Sequence, residues 1–366
     1  MILCGNPKAQ YDSCKIKIDE AIARVLANGQ YVLGENVFAF EEEFAKYIGG
    51  DHCVGLGSGT DALFLGMKAL QIGQGDEVIA PSHTATPTIA AICMAGATPV
   101  LVDVDPVYYT VCPSKIRKVV NGRTKAIIAV HLYGQPADLD GIFQVAGERD
   151  IKVIEDCAQA HGALYCGRRV GGIGDIGCFS FYPTKNLGGV GDGGAVVTSN
   201  GELAERLRSL RQYGWDDQKV SQETGWNSRL DELQAAVLRV KLPHLDEDND
   251  KRIALAGRYR QDLEGLNMVL PQIRDDCNHV FHQFVVAVEQ REDMILFLKD
   301  RKIIPGVHYP APAHRMPGYS DSVFDLEDLK HTERLAGQVL SFPIFPEFSD
   351  KEQEIVISSV KDFMSA

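Results

Sequence analysis

The stretch FYPTKNLGG, residues 181–189, sets Lys185 between an aromatic pair and two glycines, where a plain turn needs no long cationic side chain. A lone loop lysine is ordinarily a solvated surface charge, so its chemistry depends on partners elsewhere in the chain. Two stretches supply candidates. In VGLGSGTDAL (54–63) a short apolar run leads into Gly57, Ser58, Gly59 and Thr60 and then into a helical pattern. Small residues let the backbone approach a phosphate there, and the free N–H groups and dipole of a helix N-terminus stabilise the anion. In VIEDCAQAHGA (153–163) an apolar run ends on Asp156, followed by Gln159 and His161. A carboxylate at the carboxyl end of a parallel strand sits where such sheets bind ligands. If partly buried, it needs a cationic or hydrogen-bonding partner.

Each stretch alone has a rival reading. Gly57, Gly59 and Ala62 fit the GxGxxA of a dinucleotide fold, with Asp76 or Glu77 as the ribose-binding acid. Asp76, however, precedes the next predicted strand rather than ending it, which weighs against a nicotinamide cofactor. A plain helix cap would also explain the glycine turn, and a cap on the following segment would explain Asp156. Together, a phosphate seat, a strand-end Asp and a lysine on a glycine-rich loop are complementary to one cofactor, pyridoxal 5′-phosphate (PLP). Such enzymes need a lysine for the Schiff base and an acid opposite the ring nitrogen, so that the ring can accept electrons from a developing carbanion.

The elements around these residues read as alternating β and α. Helical periodicity covers 60–72, 86–96, 114–120 and 138–149, and strands are expected at 78–81, 99–104, 126–133, 152–158, 178–183 and 194–199. That order implies a mainly parallel central sheet with helices on both faces. Helical material dominates 201–266, followed by a strand in FHQFVVAV, a helix near 292–300, a Pro-rich loop at 305–317 and a terminal helix from about 350. The expected division is a large cofactor-binding domain, 1–245 with an N-terminal arm, and a smaller α+β domain, 246–366.

Composition narrows the partners. The 366 residues are 45% hydrophobic, enough for a large core, and the formal net charge is −13 without a Lys/Arg block. A nucleic-acid binder that relies on phosphate neutralisation is therefore excluded as an expectation. No apolar run approaches the length of a membrane span, and MILCGNPKAQ lacks a targeting pattern, so a cytoplasmic place with no membrane contact is expected. Nine cysteines occur without CxxC or Cys/His metal spacing; Cys93, Cys157 and Cys178 read as reduced core residues, and no metal is expected.

Longer stretches carry a family resemblance. YVLGENVFAFEEEFAKYIG, GSGTDAL, GATPVLVDVD, HLYGQPADL, EDCAQAHGA, FSFYPTKNLGGVGDGGAVVT, NSRLDELQAAVLRVKLPHLD and VHYPAPAH run nearly end to end. Together they resemble the DegT/DnrJ/EryC1/StrS sugar aminotransferases, within fold type I of the PLP enzymes. The resemblance implies that Lys185 forms the Schiff base, that Asp156 pairs with the pyridine nitrogen and that Gln159 lies beside the ring. It implies that Gly59 and Thr60 amides and the Ser180 hydroxyl hold the phosphate. Asn227 would reach that phosphate from a neighbouring subunit of an obligate homodimer. Tyr182, His308 and Tyr309 match positions that line the sugar-nucleotide site.

The implied activity moves an amino group from L-glutamate to a nucleotide-linked ketosugar for amino-sugar biosynthesis, with pyridoxamine phosphate (PMP) as the intermediate cofactor form. KNLGxxGDGG after Lys185, with HLYGQPADL, resembles members acting on 3-keto sugars, so C3 of a dTDP-linked 3-keto-6-deoxyhexose is expected. A UDP-linked 3-keto sugar or uronate, or a 4-keto sugar, is the alternative substrate. A non-catalytic regulator that binds PLP or a sugar nucleotide is the alternative of another class. The related dehydratases carry histidine in place of the lysine, so Lys185 disfavours that branch. Ala85 stands where relatives commonly stack an aromatic on the ring, leaving His83 to take over or the ring to be covered differently. Pro305 and Met316 replace an expected Thr and Gln. Arg229 is a candidate for the glutamate carboxylate, and Gly188 and Gly189 are expected to bring the loop close to cofactor and substrate.

Overall fold

The computed structural model describes residues 1–325 and 328–365. Its centre is a seven-stranded sheet made of β1 (His52–Leu56), β2 (Glu77–Pro81), β3 (Thr98–Val102), β4 (Thr124–Val130), β5 (Lys152–Asp156), β6 (Ile176–Ser180) and β7 (Gly194–Thr198). The spatial order is β1-β7-β6-β5-β4-β2-β3. Strands β2 to β6 pair in parallel, and β7 alone runs against both of its neighbours, β1 and β6.

The strands are near-continuous apolar runs because both faces are covered. Along β4, Ala126, Ile128 and Val130 enter one core cluster while Ile127 and Ala129 enter the other, the period-two alternation of a strand. One cluster packs Phe40, Phe44 and Phe179 beneath the sheet. The other packs the sheet against helices α1 (Gly59–Ala69) and α2 (Thr86–Ala95). Each such fully buried Ile or Phe contributes about 1.5–3 kcal/mol relative to exposure.

A third cluster lies around an antiparallel pair, Phe284–Ala287 with Val339–Phe342, and draws Tyr259, Met294 and Val356 from three helices. The first residues join this region, since Ile2–Leu3 pair in parallel with Ile303–Ile304. Helix Pro7–Asn28 then returns to pack Ala21 and Val25 on Ala236.

Three expectations need correction. The helical run of 201–266 is three helices, Gly201–Leu210, Glu232–Lys241 and Leu245–Asp262, and 211–231 between them is irregular. Gly214 at φ +70° and the Asp/Gln/Ser-rich composition of that stretch favour turns over helix. The expected strand at 126–133 stops at Val130, because Leu132–Gly134 form a 3₁₀ turn with Tyr133 at φ +61°. Cys93 is exposed rather than in the core, on the outer face of α2, whereas Cys157 and Cys178 are buried.

Candidate active site

The carboxyl ends of β4, β5 and β6 and the N-termini of α1 and α2 surround a cavity of about 360 Å³. Thr60, Asp156, Gln159, Ser180, Lys185 and Tyr309 all line it. Residues as far apart in the chain as Thr60 and Tyr309 thus meet at the end of the sheet where ligands of open α/β folds bind. Asp76 and Glu77 lie at the opposite end, where Asp76 accepts the Gly73 N–H and Glu77 pairs with Arg123. They cannot serve as ribose acids for this cavity, and the dinucleotide reading falls.

Helix α1 begins at the cavity with Ser58 as its cap, whose hydroxyl accepts from the Asp61 N–H at 3.1 Å. The amides of Gly59 and Thr60 have no acceptor among the described residues. They are the free donors that a helix N-terminus offers to an anion. A side chain at Gly59 would place its Cβ 2.5 Å from the Ser180 Cβ, so glycine is what lets the helix end lie against the Ser180 hydroxyl. Below it, Ser228 Oγ accepts from the Gly57 N–H and donates to Asp61 Oδ2 at 2.8 Å. That anchor leaves Asn227 exposed outside its own chain's cavity, with Arg229 half-buried beside it and in no ion pair among the described residues.

Asp156 ends β5 and is 5% exposed. Its Oδ2 accepts from Thr88 Oγ1 at 2.8 Å and its Oδ1 from the Ala158 N–H at 3.2 Å. Burial pushes the carboxyl above its usual range, while those two donors and the charge of Lys185 pull it back. A protonated heterocycle nitrogen in the cavity would complete its pairing. The donors at α1, the carboxylate opposite them and the amine between fit PLP in its phosphate, ring nitrogen and aldehyde.

Lys185 sits on a loop held by its neighbours. Asn186 Nδ2 donates to Asn249 Oδ1 at 2.8 Å and to the Val280 carbonyl, its Oδ1 meets His282 Nδ1, and Lys241 Nζ donates to the Gly188 carbonyl. A Cβ on Gly188 would strike the Pro183 carbonyl at 2.5 Å, and one on Gly189 would strike the Gln234 side chain. These glycines let the loop fold onto itself and onto helix Glu232–Lys241. Burial lowers the Lys185 amine to about 8, with Asp156 opposing the shift.

The far wall is a bonded chain. Gln159 Oε1 accepts from the Tyr133 N–H at 2.7 Å, and its Nε2 donates to the Tyr309 hydroxyl at 2.7 Å. Tyr133 donates through its hydroxyl to the His308 carbonyl. Tyr182 stands at the mouth, 52% exposed. His308 does not line this cavity. It faces a smaller neighbouring one of about 160 Å³, with Lys185 in the shared wall and Ser341 Oγ 2.8 Å from its Nδ1. Burial and the Lys185 charge hold its imidazole down to about 4.

His83 does not replace the missing aromatic. It is fully buried behind the wall, bonded through Nε2 to the Tyr133 hydroxyl at 2.7 Å, and Ala85 itself lines the cavity. Met316 approaches Thr86 Oγ1 at 3.8 Å, beside the cavity rather than in it.

Sequence reading missed Thr84, Thr88 and Asp192, all of which line the cavity. The sequence signal for Thr88 was its position in the first turn of a helix that starts at a strand end. Two lookalike clusters have bland explanations. His131, Glu155 and Cys157 lie together behind Asp156, but His131 Nδ1 accepts the Ala137 N–H and Glu155 accepts from His131 and from the amides of Gly171, Ile173 and Gly174. Ser82, His314 and Glu333 form a hydrogen-bonded row at 2.7 and 2.6 Å, yet Ser82 has no exposed surface to act as a nucleophile. That row fastens the loop around Ala313 to the end of β2.

Residues 13–361 match the DegT/DnrJ/EryC1/StrS aminotransferase family. The chain is 47% identical over 358 residues to dTDP-3-amino-3,4,6-trideoxy-alpha-D-glucose transaminase of Streptomyces venezuelae, covering 97% of this chain and 94% of that protein. It is 47% identical over 347 residues to dTDP-3-amino-3,6-dideoxy-alpha-D-galactopyranose transaminase of Aneurinibacillus thermoaerophilus, covering 95% of each. The crystal structure of S. venezuelae DesV in complex with a ketimine intermediate superposes with a TM-score of 0.97 at 45% identity, over 100% of this chain and 98% of that one. With this cavity and these similarities over almost its whole length, the chain belongs to the DegT/DnrJ/EryC1/StrS aminotransferase family.

Proposed function

We propose that the protein is a homodimeric, cytoplasmic aminotransferase that moves the amino group of L-glutamate to C3 of a dTDP-linked 3-keto-6-deoxyhexose. The observation that carries the reading is the cavity itself, where the free amides of α1, the buried Asp156 and the amine of Lys185 converge. The two relatives at 47% identity, both named as dTDP-3-amino-sugar transaminases, support the regiochemistry and the nucleotide. The nine free cysteines suit a reducing compartment, and among the described residues no helix is long and apolar enough to cross a membrane. Residues 1–245 are taken as the cofactor-binding domain and 246–366 as the small domain.

PLP, the family's cofactor, supplies an electron sink for the carbanion formed when the donor's Cα loses its proton. In this reading the amides of Gly59 and Thr60 and the Ser180 hydroxyl hold the phosphate, Asp156 holds the ring nitrogen, and Gln159 lies beside the ring. Asn227, exposed outside its own cavity, reaches the phosphate of the second subunit's site. Lys185 carries the proton. Its amine, lowered to about 8, is free base in an appreciable fraction near neutral pH and can take a proton from one carbon and return it to another. Tyr182 at the mouth and Tyr309 in the wall face the sugar nucleotide, while His308 lies behind them on the neighbouring cavity.

Incubation with glutamate and a panel of 3-keto and 4-keto dTDP- and UDP-sugars tests the reading, with the product identified by mass and NMR. A 3-amino dTDP-sugar is expected, and a 4-amino product would refute the regiochemistry. Absence of any spectral change with amino donors would favour a cofactor-binding regulator. Gly59→Ala is expected to weaken cofactor retention about ten-fold, since a methyl 2.5 Å from Ser180 must spread the phosphate seat. Equilibrium dialysis measures it, and unchanged retention would remove Gly59 from the seat.

A further inference from the structure

Asp156 has to remain an anion in a site where burial favours its neutral form. The charged and titratable groups facing it are Lys185, His131, Tyr309, Cys157 and Cys178. None of these donates a hydrogen bond to the carboxylate. Its two donors among the described residues are the Ala158 amide, a local main-chain contact, and the Thr88 hydroxyl, which arrives from a different element, the first turn of α2. Thr88 Oγ1 is in turn 3.0 Å from Thr84 Oγ1, and all three residues of this row are buried. Because Thr88 donates its one proton to Asp156, the hydroxyl of Thr84 must donate to Thr88. The row therefore points every hydroxyl proton toward the carboxylate.

From this geometry we infer that Thr88, oriented by Thr84, is a positioning residue that keeps Asp156 ionised and aimed at the cofactor's ring nitrogen. The inference rests on the reading of Asp156 as that nitrogen's partner. Without the Thr88 proton, Asp156 becomes the stronger base and draws the proton from the ring nitrogen. The ring then withdraws fewer electrons, and the nitrogen linking Lys185 to the cofactor keeps its own proton to higher pH.

The experiment is a spectrophotometric pH titration of the PLP-loaded protein, without substrate. Thr88→Val is nearly isosteric and keeps the packing, while Thr88→Ser keeps the donor. The midpoint of the visible-band transition is expected to rise by about 0.5–1 pH unit in Thr88→Val, and cofactor dissociation to accelerate about ten-fold. Thr88→Ser should stay within about 0.2 unit of the wild type. A simple packing role would leave the midpoint in place, so an unchanged Thr88→Val midpoint overturns the inference, as does a serine variant that shifts equally. Asp156→Asn is the control that separates the two layers. If it shifts the midpoint and Thr88→Val does not, the role of Thr88 fails alone. If Asp156→Asn also leaves the midpoint unchanged, the assignment of Asp156 fails and the inference with it. Should Thr88→Val be insoluble, Thr84→Val carries the same prediction through the same row, and an unshifted midpoint there overturns the inference.

Discussion

Lys185→Ala is expected to lower amino transfer by about 10⁴-fold or more while the protein stays folded. The loop is held by the Asn186 bonds to Asn249, Val280 and His282 and by the Lys241 bond to Gly188, none of which uses the lysine's side chain. Truncation therefore removes the amine without releasing its carrier. The phosphate seat and Asp156 also survive, so cofactor should still bind, non-covalently, and borohydride should no longer fix it to the chain. Amino-sugar formation followed by mass, together with a thermal melt, separates lost chemistry from lost fold. In the wild type, covalent loading of the apo-protein requires the neutral amine, so its rate should rise with pH through about 8 and level off above. Turnover of Lys185→Ala at the wild-type rate would sink the assignment of this lysine.

Much of the fold was legible because parallel strands buried on both faces are continuous apolar runs, which is why VIA, VLV and AIIAV stood out in β2, β3 and β4. The cofactor residues were legible for a related reason. Gly59, Asp156 and Ser180 sit at strand ends or helix starts, positions that punctuation by glycine and polar residues marks in one dimension. The division of 201–266 into three helices was only partly legible: Gly214 and the polar composition of 211–231 marked turns, but the anchoring of Ser228 by Gly57 and Asp61 comes from 167 or more positions away. The same limit hid Thr88. Nothing local tells a threonine in a first helical turn that an aspartate 68 positions later is its acceptor. The glycines after Lys185 could be read only as a sign that something comes close. Here that something is the loop's own Pro183 carbonyl and Gln234. His83 was likewise a candidate for stacking by residue type alone, and its bond to Tyr133 behind the wall shows that type without direction does not assign a role.

Asp156→Asn should separate the electrostatic role of this carboxylate from its place in the packing. Asparagine has the same shape, and its single carbonyl oxygen can still accept the Ala158 N–H. Its NH₂ then faces Thr88, whose hydroxyl can turn to accept from it and donate to Thr84, since the Thr84–Thr88 contact allows either direction. The row reverses and the fold is kept. What disappears is the negative charge opposite the ring nitrogen, and with it the force that keeps the ring an effective electron sink. Amino transfer is expected to fall by about 10²–10³-fold, the loss typical of removing one preorganised electrostatic group. The apo-protein supplies an independent sign. Burial raises the folded-state pKa of Asp156 above its unfolded value, so its favourable contribution is present below the unfolded pKa and is lost as pH rises through the folded one. Asparagine does not titrate, so the apo variant should melt above the apo wild type at neutral pH, with the difference fading in acid. A variant less active yet more stable without cofactor is the combination that a purely structural aspartate cannot produce, and activity within three-fold of wild type would remove Asp156 from the chemistry.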